Sequence, residues 1–457
     1  MKVPAEIFRA YDIRGIVGRT LDESVARAVG RALGSVSRER GAKAVVVGRD
    51  GRLSGPALAA ALAEGVTASG ADVIELGMVP TPVAYFAALH LDAGSCAMIT
   101  GSHNPPEYNG IKMVAAGDTL AGDEIQALRR RIEAQDWASG VGRRSLANVL
   151  DAYVARIVGD ARLARPMRIA IDCGNGVAGM IAARLYRELG CEVEELYCEV
   201  DGSFPNHHPD PSHPENLADL IAALARGSAE LGLAFDGDGD RLGVVTRDGE
   251  VIFPDRQLML YAADVLSRVP GSQIIYDVKS TRLLGPWIER HGGRPLVWKT
   301  GHSLIKAKLK ETGAPLAGEM SGHTFFKERW YGFDDALYTG ARLLEIVSRS
   351  PDASAVLKAL PNAPSTPELH WRLAEGEPHA MVAKLQASKP FPGATSILAI
   401  DGVRVEYPDG FGLARASNTT PVMVLRFEAD TQAALAAIQE EFRAALQPLK
   451  PQAPLPF

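Results

Sequence analysis

Short apolar segments alternate along most of the chain with longer stretches of helical periodicity, and the alternation occurs three times. The strands that we predict are 44–47, 72–76 and 96–99 in the first set, 168–172, 191–196 and 231–235 in the second, and 273–277, 295–298 and 314–317 in the third. Strand–helix alternation predicts parallel sheets with right-handed crossovers. The first helix is predicted to begin at Thr20 as N-cap, with Glu23 completing a capping box. The fold class is α/β, with three similar α/β domains whose sheets are mixed and mainly parallel.

The pattern changes in the last part of the chain, where polar and apolar residues alternate singly through 403–407. Single alternation is typical of a strand with one buried face. A turn is predicted at 408–410, followed by a second strand at 422–427 and a helix at 431–446. This part is therefore predicted to be a C-terminal α+β domain.

The chain length also indicates several domains. A chain of 457 residues is too long for one hydrophobic core, because domains ordinarily hold about 100–200 residues. The three repeats and the distinct last part predict four domains, which we place at 1–148, 149–250, 251–362 and 363–457.

Composition excludes several classes of protein. The net charge of −6 argues against a nucleic-acid or membrane-surface binder, although it permits a local anion pocket. No apolar run approaches the ~18–20 residues of a membrane helix, and the first residues lack the apolar core of a signal peptide. We expect a cytoplasmic protein that binds neither nucleic acid nor membrane. The four cysteines lack CxxC spacing, which favours buried thiols over a zinc site or disulfides.

Each predicted repeat ends its third strand in a polar loop, at 100–105, 236–241 and 318–323. Ligands of open parallel sheets bind beyond the carboxyl ends of the strands, so we expect these loops to face a common central cleft. In the first loop, a glycine and two prolines flank Ser102 and are expected to hold its hydroxyl on a stiff, exposed corner. An ordinary strand-to-loop turn is the alternative interpretation.

The second loop places Asp236, Asp238 and Asp240 at every second position with glycines between them. Such carboxylates suit a hard divalent cation. A calcium EF-hand requires glycine at the sixth loop position and glutamate at the twelfth, but Arg241 and Arg247 stand there. We therefore favour Mg2+ shared with a phosphate, and a solvated acidic turn is the alternative.

Two further loops carry groups that suit a phosphorylated sugar. A guanidinium with hydroxyl and amide donors matches the oxygens of a phosphate monoester, and such donors occur at Arg415, Ser417, Asn418 and Thr419. A polar hairpin turn would explain them equally well. In the third loop, Glu319 and Ser321 suit sugar hydroxyls and His323 can titrate.

Basic side chains lie near the predicted strand ends, at Lys112, Arg241, Lys279 and His302. Together with the hydroxyl, the carboxylate loop and the phosphate-binding donors, they favour a phosphoryl-transfer site, because that chemistry needs positioning and neutralisation of charge. Two separate anion sites indicate a substrate with a phosphate at either end.

Four segments resemble, in order, the four signature loops of the α-D-phosphohexomutase superfamily: TGSHNP at 100–105, DGDGDR at 236–241, GEMSGH at 318–323 and RASNT at 415–419. The GEMSGH form and the opening segment FRAYDIRG at 8–15 are most similar to those of the bacterial bifunctional phosphomannomutase/phosphoglucomutase group. The resemblance spans essentially the whole chain, and several such loops in the right order are highly specific.

The resemblance implies that Ser102 is carried as phosphoserine, and that it binds Mg2+ together with Asp236, Asp238 and Asp240. The phosphoserine would give its phosphoryl group to a hexose 1-phosphate or 6-phosphate. The glucose or mannose 1,6-bisphosphate so formed would turn over in the cleft and return its other phosphate to Ser102. Hexose phosphates would be the substrates, and we expect a monomer.

The resemblance also implies the remaining roles. The four domains would carry, in order, the phosphoserine, the metal, the sugar-recognition loop and a mobile phosphate-binding loop, with a hinge near 361–367. Glu319 and Ser321 would hold the sugar O3 and O4. Further substrate contacts would be Tyr11, Arg14, Lys279, His302 and His323, with the non-reacting phosphate on Arg415, Ser417, Asn418 and Thr419. Catalytic candidates beside Ser102 are Lys112 and His302 for proton transfer, Arg241 near the reacting phosphate, and His103.

Three other functions compete with this interpretation. A phosphoglucosamine mutase would use the same machinery, but its sugar loop usually resembles GEQSGH, so Met320 argues against it. A Mg2+-dependent sugar phosphatase would give the phosphoryl group to water. A non-enzymatic sugar-phosphate-binding protein would leave Ser102 unphosphorylated. The preference between mannose and glucose does not follow from the sequence.

Overall fold

A computed structural model describes residues 2–418 and 420–457. Its strands form four sheets, which follow one another along the chain. The first three sheets have parallel strands at their centre and antiparallel strands at one edge, and the fourth is antiparallel throughout. The predicted fold class is thereby confirmed.

The first sheet has seven strands in the order β1-β5-β4-β2-β3-β7, with β6 paired to β5. The strands are β1 Ile13–Ile16, β2 Ala44–Arg49, β3 Asp72–Met78, β4 Gly94–Ile99, β5 Tyr108–Ala115, β6 Asp118–Thr119 and β7 Arg144–Leu146. The helices are α1 Glu23–Glu39, α2 Gly55–Ala68, α3 Thr81–His90 and α4 Asp123–Ala134. The predicted cap of α1 was wrong, because Asp22 accepts a hydrogen bond from the Val25 amide whereas the Thr20 hydroxyl accepts one from the Ile16 amide.

The second sheet has the order β12-β11-β10-β8-β9. Its strands are β8 Met167–Asp172, β9 Cys191–Leu196, β10 Leu231–Phe235, β11 Leu242–Thr246 and β12 Val251–Ile252. The helices of this part are α5 Leu150–Val158, α6 Ala182–Glu188 and α7 Ala218–Arg226, with short 3-10 turns at Val177–Met180 and Pro214–Leu217.

The third sheet has the order β14-β13-β15-β16. Its strands are β13 Gln273–Asp277, β14 Arg294–Trp298, β15 Leu316–Gly318 and β16 Thr324–Phe326. The helices are α8 Pro254–Leu266, α9 Leu284–Arg290, α10 His302–Thr312, α11 Ala336–Val347 and α12 Ala353–Lys358.

The fourth sheet is antiparallel, in the order β17-β21-β20-β19-β18. Its strands are β17 Leu369–Arg372, β18 Ser396–Leu398, β19 Val403–Tyr407, β20 Gly410–Ala416 and β21 Val422–Ala429. The helices are α13 Glu377–Ser388 and α14 Gln432–Leu446, with 3-10 turns at Ala5–Ile7 and Gln447–Leu449 near the two ends of the chain.

The apolar core does not divide equally among the four sheets. One large cluster of buried side chains runs continuously through the second and third sheets and reaches α3 and β4 of the first. The fourth sheet has a cluster of its own, closed by α13 and α14. A small apolar contact of Val278 with Phe411 and Leu413 joins it to the third sheet. The C-terminal part is therefore built as a separate body docked on the third sheet.

In the first three sheets, the predicted loops occupy the same topological position. Each connects the last parallel strand to the antiparallel strand beside it, from β4 to β5, from β10 to β11 and from β15 to β16. The RASNT loop likewise connects two antiparallel strands, β20 and β21. Within the described ranges, no helix is both long and apolar enough to cross a bilayer.

Candidate active site

Ser102 lies in a tight turn directly after β4. Its φ is +48°, a left-handed conformation that is uncommon outside glycine and is often found at functional sites. The Ser102 amide donates to the Thr100 hydroxyl at 2.8 Å, which fixes the turn. The expectation of an exposed corner was wrong, because Ser102 is only 2% exposed. The loop 236–241, which we call the metal loop after its three aspartates, covers Ser102. A Cβ at Gly237 would lie 2.4 Å from the Ser102 carbonyl oxygen.

The guanidinium of Arg52, which the sequence did not single out, holds this turn from behind. It is 1% exposed and donates to the carbonyl oxygens of Ser102 at 2.9 Å, Asn104 at 2.5 Å, Pro105 at 2.6 Å and Tyr108 at 2.9 Å. Four bonds from one rigid planar group define the shape of the loop. The only sequence signal was its place in a polar loop after a predicted strand.

Asp50 completes this support. Its carboxylate accepts hydrogen bonds from the Thr100 hydroxyl at 2.8 Å and the Gly101 amide at 3.0 Å, and it lies 3.3 Å from the Arg52 guanidinium. Both charged groups are buried, so each depends on the other for compensation.

The three aspartates of the metal loop converge beside Ser102. All are fully buried, and one oxygen from each lies within 4.8 Å of the others. Asp236 accepts hydrogen bonds from the amides of residues 239, 240 and 241, each at 3.1 Å, and its other oxygen accepts one from the Ser102 hydroxyl at 2.8 Å. Within the described part of the chain, Asp238 Oδ1 is buried without a hydrogen-bond partner.

Three basic side chains, Lys112, Arg241 and His323, face the three aspartates of this loop. Lys112 on β5 donates to Asp238 at 2.8 Å and to Asp240 at 2.5 Å. Burial opposes its charge, but these carboxylates raise its pKa and hold it as an ammonium ion. Burial, with repulsion from Asp240 and Asp238, raises the pKa of Asp236 well above its usual value. Converging buried carboxylates, of which Asp238 Oδ1 and Asp240 Oδ1 have no hydrogen-bond partner among the described residues, fit a hard divalent cation.

The sugar loop after β15 contacts the metal loop through His323. The His323 ring lies 2.9 Å from Glu319, 3.1 Å from Ser321 and 3.3 Å from Asp240, and Arg241 Nε lies 3.3 Å from His323 Nε2. Burial opposes protonation, but Asp240 dominates and raises the pKa of His323 to about 9. His323 is therefore held as a cation between two loops.

His302 begins α10 and lies close to His323, with 5.7 Å between the ring centroids. Burial and the nearby Lys306 lower its pKa well below the usual value, so the imidazole is neutral. Its Nδ1 is 3.4 Å from Asp334, and both ring nitrogens are buried without hydrogen-bond partners among the described residues. A neutral imidazole in this position is suited to accept a proton.

Tyr11 connects these loops to the C-terminal sheet. Its ring lies 6.0 Å from that of His302 and packs on Gly301, where a Cβ would come within 2.4 Å of the Tyr11 ring. The Asn418 amide donates to the Tyr11 hydroxyl at 2.5 Å, and burial raises the pKa of Tyr11 to about 12. Tyr11 therefore links Asn418 to Gly301, whose amide donates to Glu319 of the sugar loop at 2.5 Å.

The phosphate loop is built around Arg415. Its guanidinium is oriented by Asp401, at 3.1 Å from Nε and 3.4 Å from Nη2, and Asp401 also accepts from the Thr300 amide at 2.9 Å. Ser417 and Asn418 follow and are half-buried. Thr419, which we predicted to belong to this set, lies outside the described residues.

Arg14 and Lys279, which we predicted to contact the substrate, also hydrogen-bond within the protein. Arg14 donates to the Gly101 carbonyl at 2.5 Å and to the Asn104 side chain at 2.8 Å, so it contacts the Ser102 turn. Lys279 is buried and donates to Glu368 at 2.6 Å, at the junction between the third sheet and the C-terminal part.

His103 contacts both Ser102 and a second segment that the sequence did not single out. Its Nδ1 lies 3.2 Å from the Ser102 hydroxyl, and burial together with Arg241 lowers its pKa well below the usual value. Asp210, in the segment 204–211, is buried, and His103 and Arg241 overcome that burial and lower the pKa of Asp210. The signal that could have revealed this segment is the histidine pair His207-His208 between two prolines.

Comparisons with known proteins agree with this geometry. Profiles for the phosphoglucomutase/phosphomannomutase family match as α/β/α domain I at 5–139, domain II at 151–249, domain III at 253–363 and the C-terminal domain at 368–445. A phosphoglucomutase of Neisseria gonorrhoeae is 59% identical over 448 residues, covering 97% of each chain. A phosphomannomutase/phosphoglucomutase of Pseudomonas aeruginosa is 58% identical over 456 residues, covering 100% of this chain and 98% of that one.

Solved structures give the same result. A phosphoglucomutase/phosphomannomutase family protein of Burkholderia thailandensis superposes with a TM-score of 0.95 at 61% identity, and each chain is covered completely. Four successive sheets with a buried serine beside an acidic loop, together with these relatives, identify an isomerase of the α-D-phosphohexomutase superfamily. The chain belongs to the phosphoglucomutase/phosphomannomutase family. Its reaction is the reversible transfer of a phosphoryl group between positions of a hexose phosphate.

Proposed function

We propose that Ser102 is the residue that carries the phosphoryl group between O1 and O6 of glucose and mannose phosphates. The observation that carries this proposal is the 2.8 Å hydrogen bond from the Ser102 hydroxyl to Asp236, within a buried loop where three carboxylates converge. A hydroxyl in this position becomes a phosphate ester whose oxygens share a cation with the loop. Both the glucose and the mannose activities are proposed because relatives of similar identity carry one or both names.

Asp236, Asp238 and Asp240 are proposed to hold Mg2+ together with the phosphate on Ser102. When bound, the ion neutralises charge on the phosphoryl group. Lys112 fixes two of the carboxylates and contributes positive charge beside them. Arg241, which lies 4.0 Å from Asp236, is proposed to contact the reacting phosphate.

The sugar is proposed to lie between the third loop and the phosphate loop. Glu319 and Ser321 would bind hydroxyls that glucose and mannose share, and His323 holds Glu319 in place. The other phosphate would bind Arg415, Ser417, Asn418 and Thr419. Tyr11, Arg14 and Lys279 are proposed as further contacts.

Proton transfer is proposed for His302, whose neutral ring suits a general base. Lys112 is the second candidate, although its two carboxylate partners hold its proton strongly. His103 is proposed to position or deprotonate the Ser102 hydroxyl, from which its Nδ1 is 3.2 Å away.

The substrate must turn over between two half-reactions while water is kept from the phosphoserine. We propose that the units 1–148, 149–250, 251–362 and 363–457 carry the serine, metal, sugar and phosphate loops respectively, and that the last one opens and closes about 361–367. Its separate core supports this motion. We propose that the protein is a monomer, since all the loops come from one chain. We also propose a cytoplasmic location. The proposed intermediate is glucose or mannose 1,6-bisphosphate.

Coupled assays on glucose 1-phosphate and mannose 1-phosphate, primed with a trace of glucose 1,6-bisphosphate, test the proposal. We expect isomerisation of both sugars and an intact protein mass that includes one phosphoryl group. Free phosphate formed faster than the isomer would instead indicate a phosphatase. Isomerisation of glucosamine phosphate in preference to both hexoses would indicate the amino-sugar mutase, which Met320 and the names of the relatives disfavour.

A further inference from the structure

Two of the four cysteines lie against each other. Cys173 follows β8 and Cys198 follows β9, and because these strands are parallel neighbours their ends meet. The two Sγ atoms are 3.5 Å apart. Cys173 is buried and Cys198 is half-buried, so one thiol of the pair is accessible from solvent. The sequence predicted buried thiols, and their spacing gave no sign of this contact.

The two loops that bear these cysteines are already joined by their backbones. The Asn175 amide donates to the Tyr197 carbonyl at 2.8 Å, and the Asp201 amide donates to the Asn175 carbonyl at 3.0 Å. The Asn175 side chain donates to the Glu199 carbonyl at 2.8 Å. A covalent bond between the sulfurs would therefore link two segments that are already held in register.

The same two loops support both halves of the candidate active site. On one side, the Val177 amide donates to the Gly237 carbonyl of the metal loop at 3.1 Å. On the other side, a Cβ at Gly202 would lie 2.4 Å from the Gly51 carbonyl oxygen and 2.7 Å from Arg52 Cα. Arg52 in turn holds the Ser102 turn. The cysteine pair thus lies between the segments that support the metal loop and the serine loop.

We propose that Cys173 and Cys198 form a reversible disulfide that lowers the mutase activity. The oxidant is hydrogen peroxide. The Cys198 thiolate attacks one peroxide oxygen, the O–O bond breaks, and Cys198 becomes a sulfenic acid while the other oxygen leaves as water after protonation. The Cys173 sulfur then attacks the Cys198 sulfur, the S–O bond breaks, and the hydroxyl leaves as a second water. Two thiols lose two electrons in total, and one peroxide is reduced to two waters.

The order of attack follows from the surroundings of the two thiols. The contact with Cys198 and burial raise the pKa of Cys173 well above its usual value, and Cys173 is out of contact with solvent. Cys198 is therefore the thiol that meets the oxidant, and Cys173 is the resolving thiol. Small thiols reverse the bond by exchange and are themselves oxidised to a disulfide.

The effect on activity follows from the tight packing of the loops. Bond formation shortens the sulfur separation from 3.5 Å to about 2.05 Å. The glycine contacts with Gly237 and Gly51 leave no space to absorb a shift, so the movement reaches the metal loop and Arg52. A displacement of about 1 Å at a catalytic group can cost about 100-fold in rate. We expect a smaller shift here and a decrease in kcat of about tenfold.

The test uses the full-length phosphorylated enzyme with Mg2+, treated with hydrogen peroxide and then with dithiothreitol. Peptide mapping without reduction measures the 173–198 crosslink, and the coupled assay measures kcat. Cys198→Ser removes the accessible thiol. Cys191→Ser is the matched control, because Cys191 lies on β9, the strand that Cys198 follows.

We expect the wild type and Cys191→Ser to form the crosslink, lose about tenfold in kcat and recover with dithiothreitol, whereas Cys198→Ser keeps its kcat. Oxidised wild type without a 173–198 crosslink would overturn the proposal, and so would a crosslinked enzyme with unchanged kcat. An equal loss of kcat in Cys198→Ser would assign the effect to another residue and also overturn it.

Discussion

Around Ser102 the polar groups are buried and fixed by one another, whereas the phosphate loop at the other end of the site is partly exposed. Arg52, Asp50 and Lys112 hold the serine turn and the metal loop through side chains that are at most a few per cent exposed. At the other end, Arg415 is buried as well, but Ser417 and Asn418 after it are half-buried, on a sheet with its own apolar core.

This difference teaches how one site can serve two substrates. In the proposed mechanism the phosphoryl group is always transferred at Ser102, so that end gains from a fixed geometry. The opposite end is proposed to bind a phosphate on either O1 or O6 of the sugar, so it gains from a loop on a separately built body. Phosphoryl transfer is thus assigned to the fixed end at Ser102, and phosphate binding to the more exposed end at Arg415.

The largest effect is expected from Ser102→Ala. Without the hydroxyl no phosphoryl carrier remains, so kcat should fall by roughly 10⁴-fold or more, in line with the loss of other catalytic nucleophiles. The coupled mutase assay measures this, with Ser388→Ala on the exposed end of α13 as control. A variant that retained a tenth of the wild-type kcat would show that Ser102 is not the carrier.

Asp238→Asn should produce the next largest effect. The substitution keeps the shape of the side chain but removes charge at the proposed Mg2+ site, and kcat should fall by at least about 10²-fold. Chelation of divalent ions from the wild type should have a similar effect that added Mg2+ reverses. Full activity of the wild type after exhaustive chelation would contradict the proposed metal role.

Arg52→Lys tests whether the support behind the serine turn matters for rate. A lysine cannot reproduce four bonds in one plane, so we expect kcat to fall by about 10- to 100-fold while KM changes little. Arg130→Lys on the exposed face of α4 is the matched control. A rise in KM at constant kcat would show that Arg52 contributes to substrate binding. The two ends of the site would then not differ in their effects on kcat and KM.

Arg415→Ala should have the opposite kinetic signature. Loss of charge-assisted bonds to the non-reacting phosphate should raise KM by about 10- to 100-fold and change kcat less. Titration of initial rates with glucose 1-phosphate measures both constants, with Arg372→Ala on the exposed side of β17 as control. Equal losses in kcat for Arg415→Ala and Arg52→Lys would remove the basis for the comparison.

The smallest effect concerns stability. Three buried carboxylates repel one another, and burial raises the pKa of Asp236, so a bound cation should stabilise the fold. Mg2+ should raise the melting temperature of the unphosphorylated wild type by about 2–4 °C and that of Asp236→Asn by less. Calorimetry of the two proteins, with and without Mg2+, gives the comparison, and an identical shift in both would argue against Asp236 as a ligand.

The sequence predicted the parallel strands of the α/β part well, and the clearest signal came from central strands such as Leu231–Phe235, which is an unbroken apolar run. Cys191–Leu196, Leu231–Phe235 and Gln273–Asp277 were predicted with their observed bounds. The cap of α1 was misplaced by two residues, because Thr20 and Asp22 are both good N-cap residues and only the backbone decides between them. Strand β17 was missed, because its four residues, Leu369–Arg372, are too few to show a clear periodicity.

The sequence predicted the loop residues of the candidate site but not the residues that hold those loops in place. Serine, aspartate and arginine in short loops indicate candidate catalytic and ligand-binding residues by their residue type alone. Arg52 bonds carbonyl oxygens that are 50 or more residues away, and Asp210 interacts with His103, more than 100 residues before it, so only the folded chain reveals them. Burial of Ser102 likewise arises from the packing of Gly237 on the serine turn, which no local pattern contains.

The central claim is that Ser102 exchanges its phosphoryl group with both ends of a hexose. Incubation of the enzyme with glucose 1,6-bisphosphate labelled in its phosphates, followed by a chase with unlabelled glucose 1-phosphate, tests it directly. The account predicts that peptide mapping finds the label on Ser102 and that the chase moves it to glucose 6-phosphate and the bisphosphate. Label that stays off Ser102, or that leaves mainly as inorganic phosphate, would contradict the account.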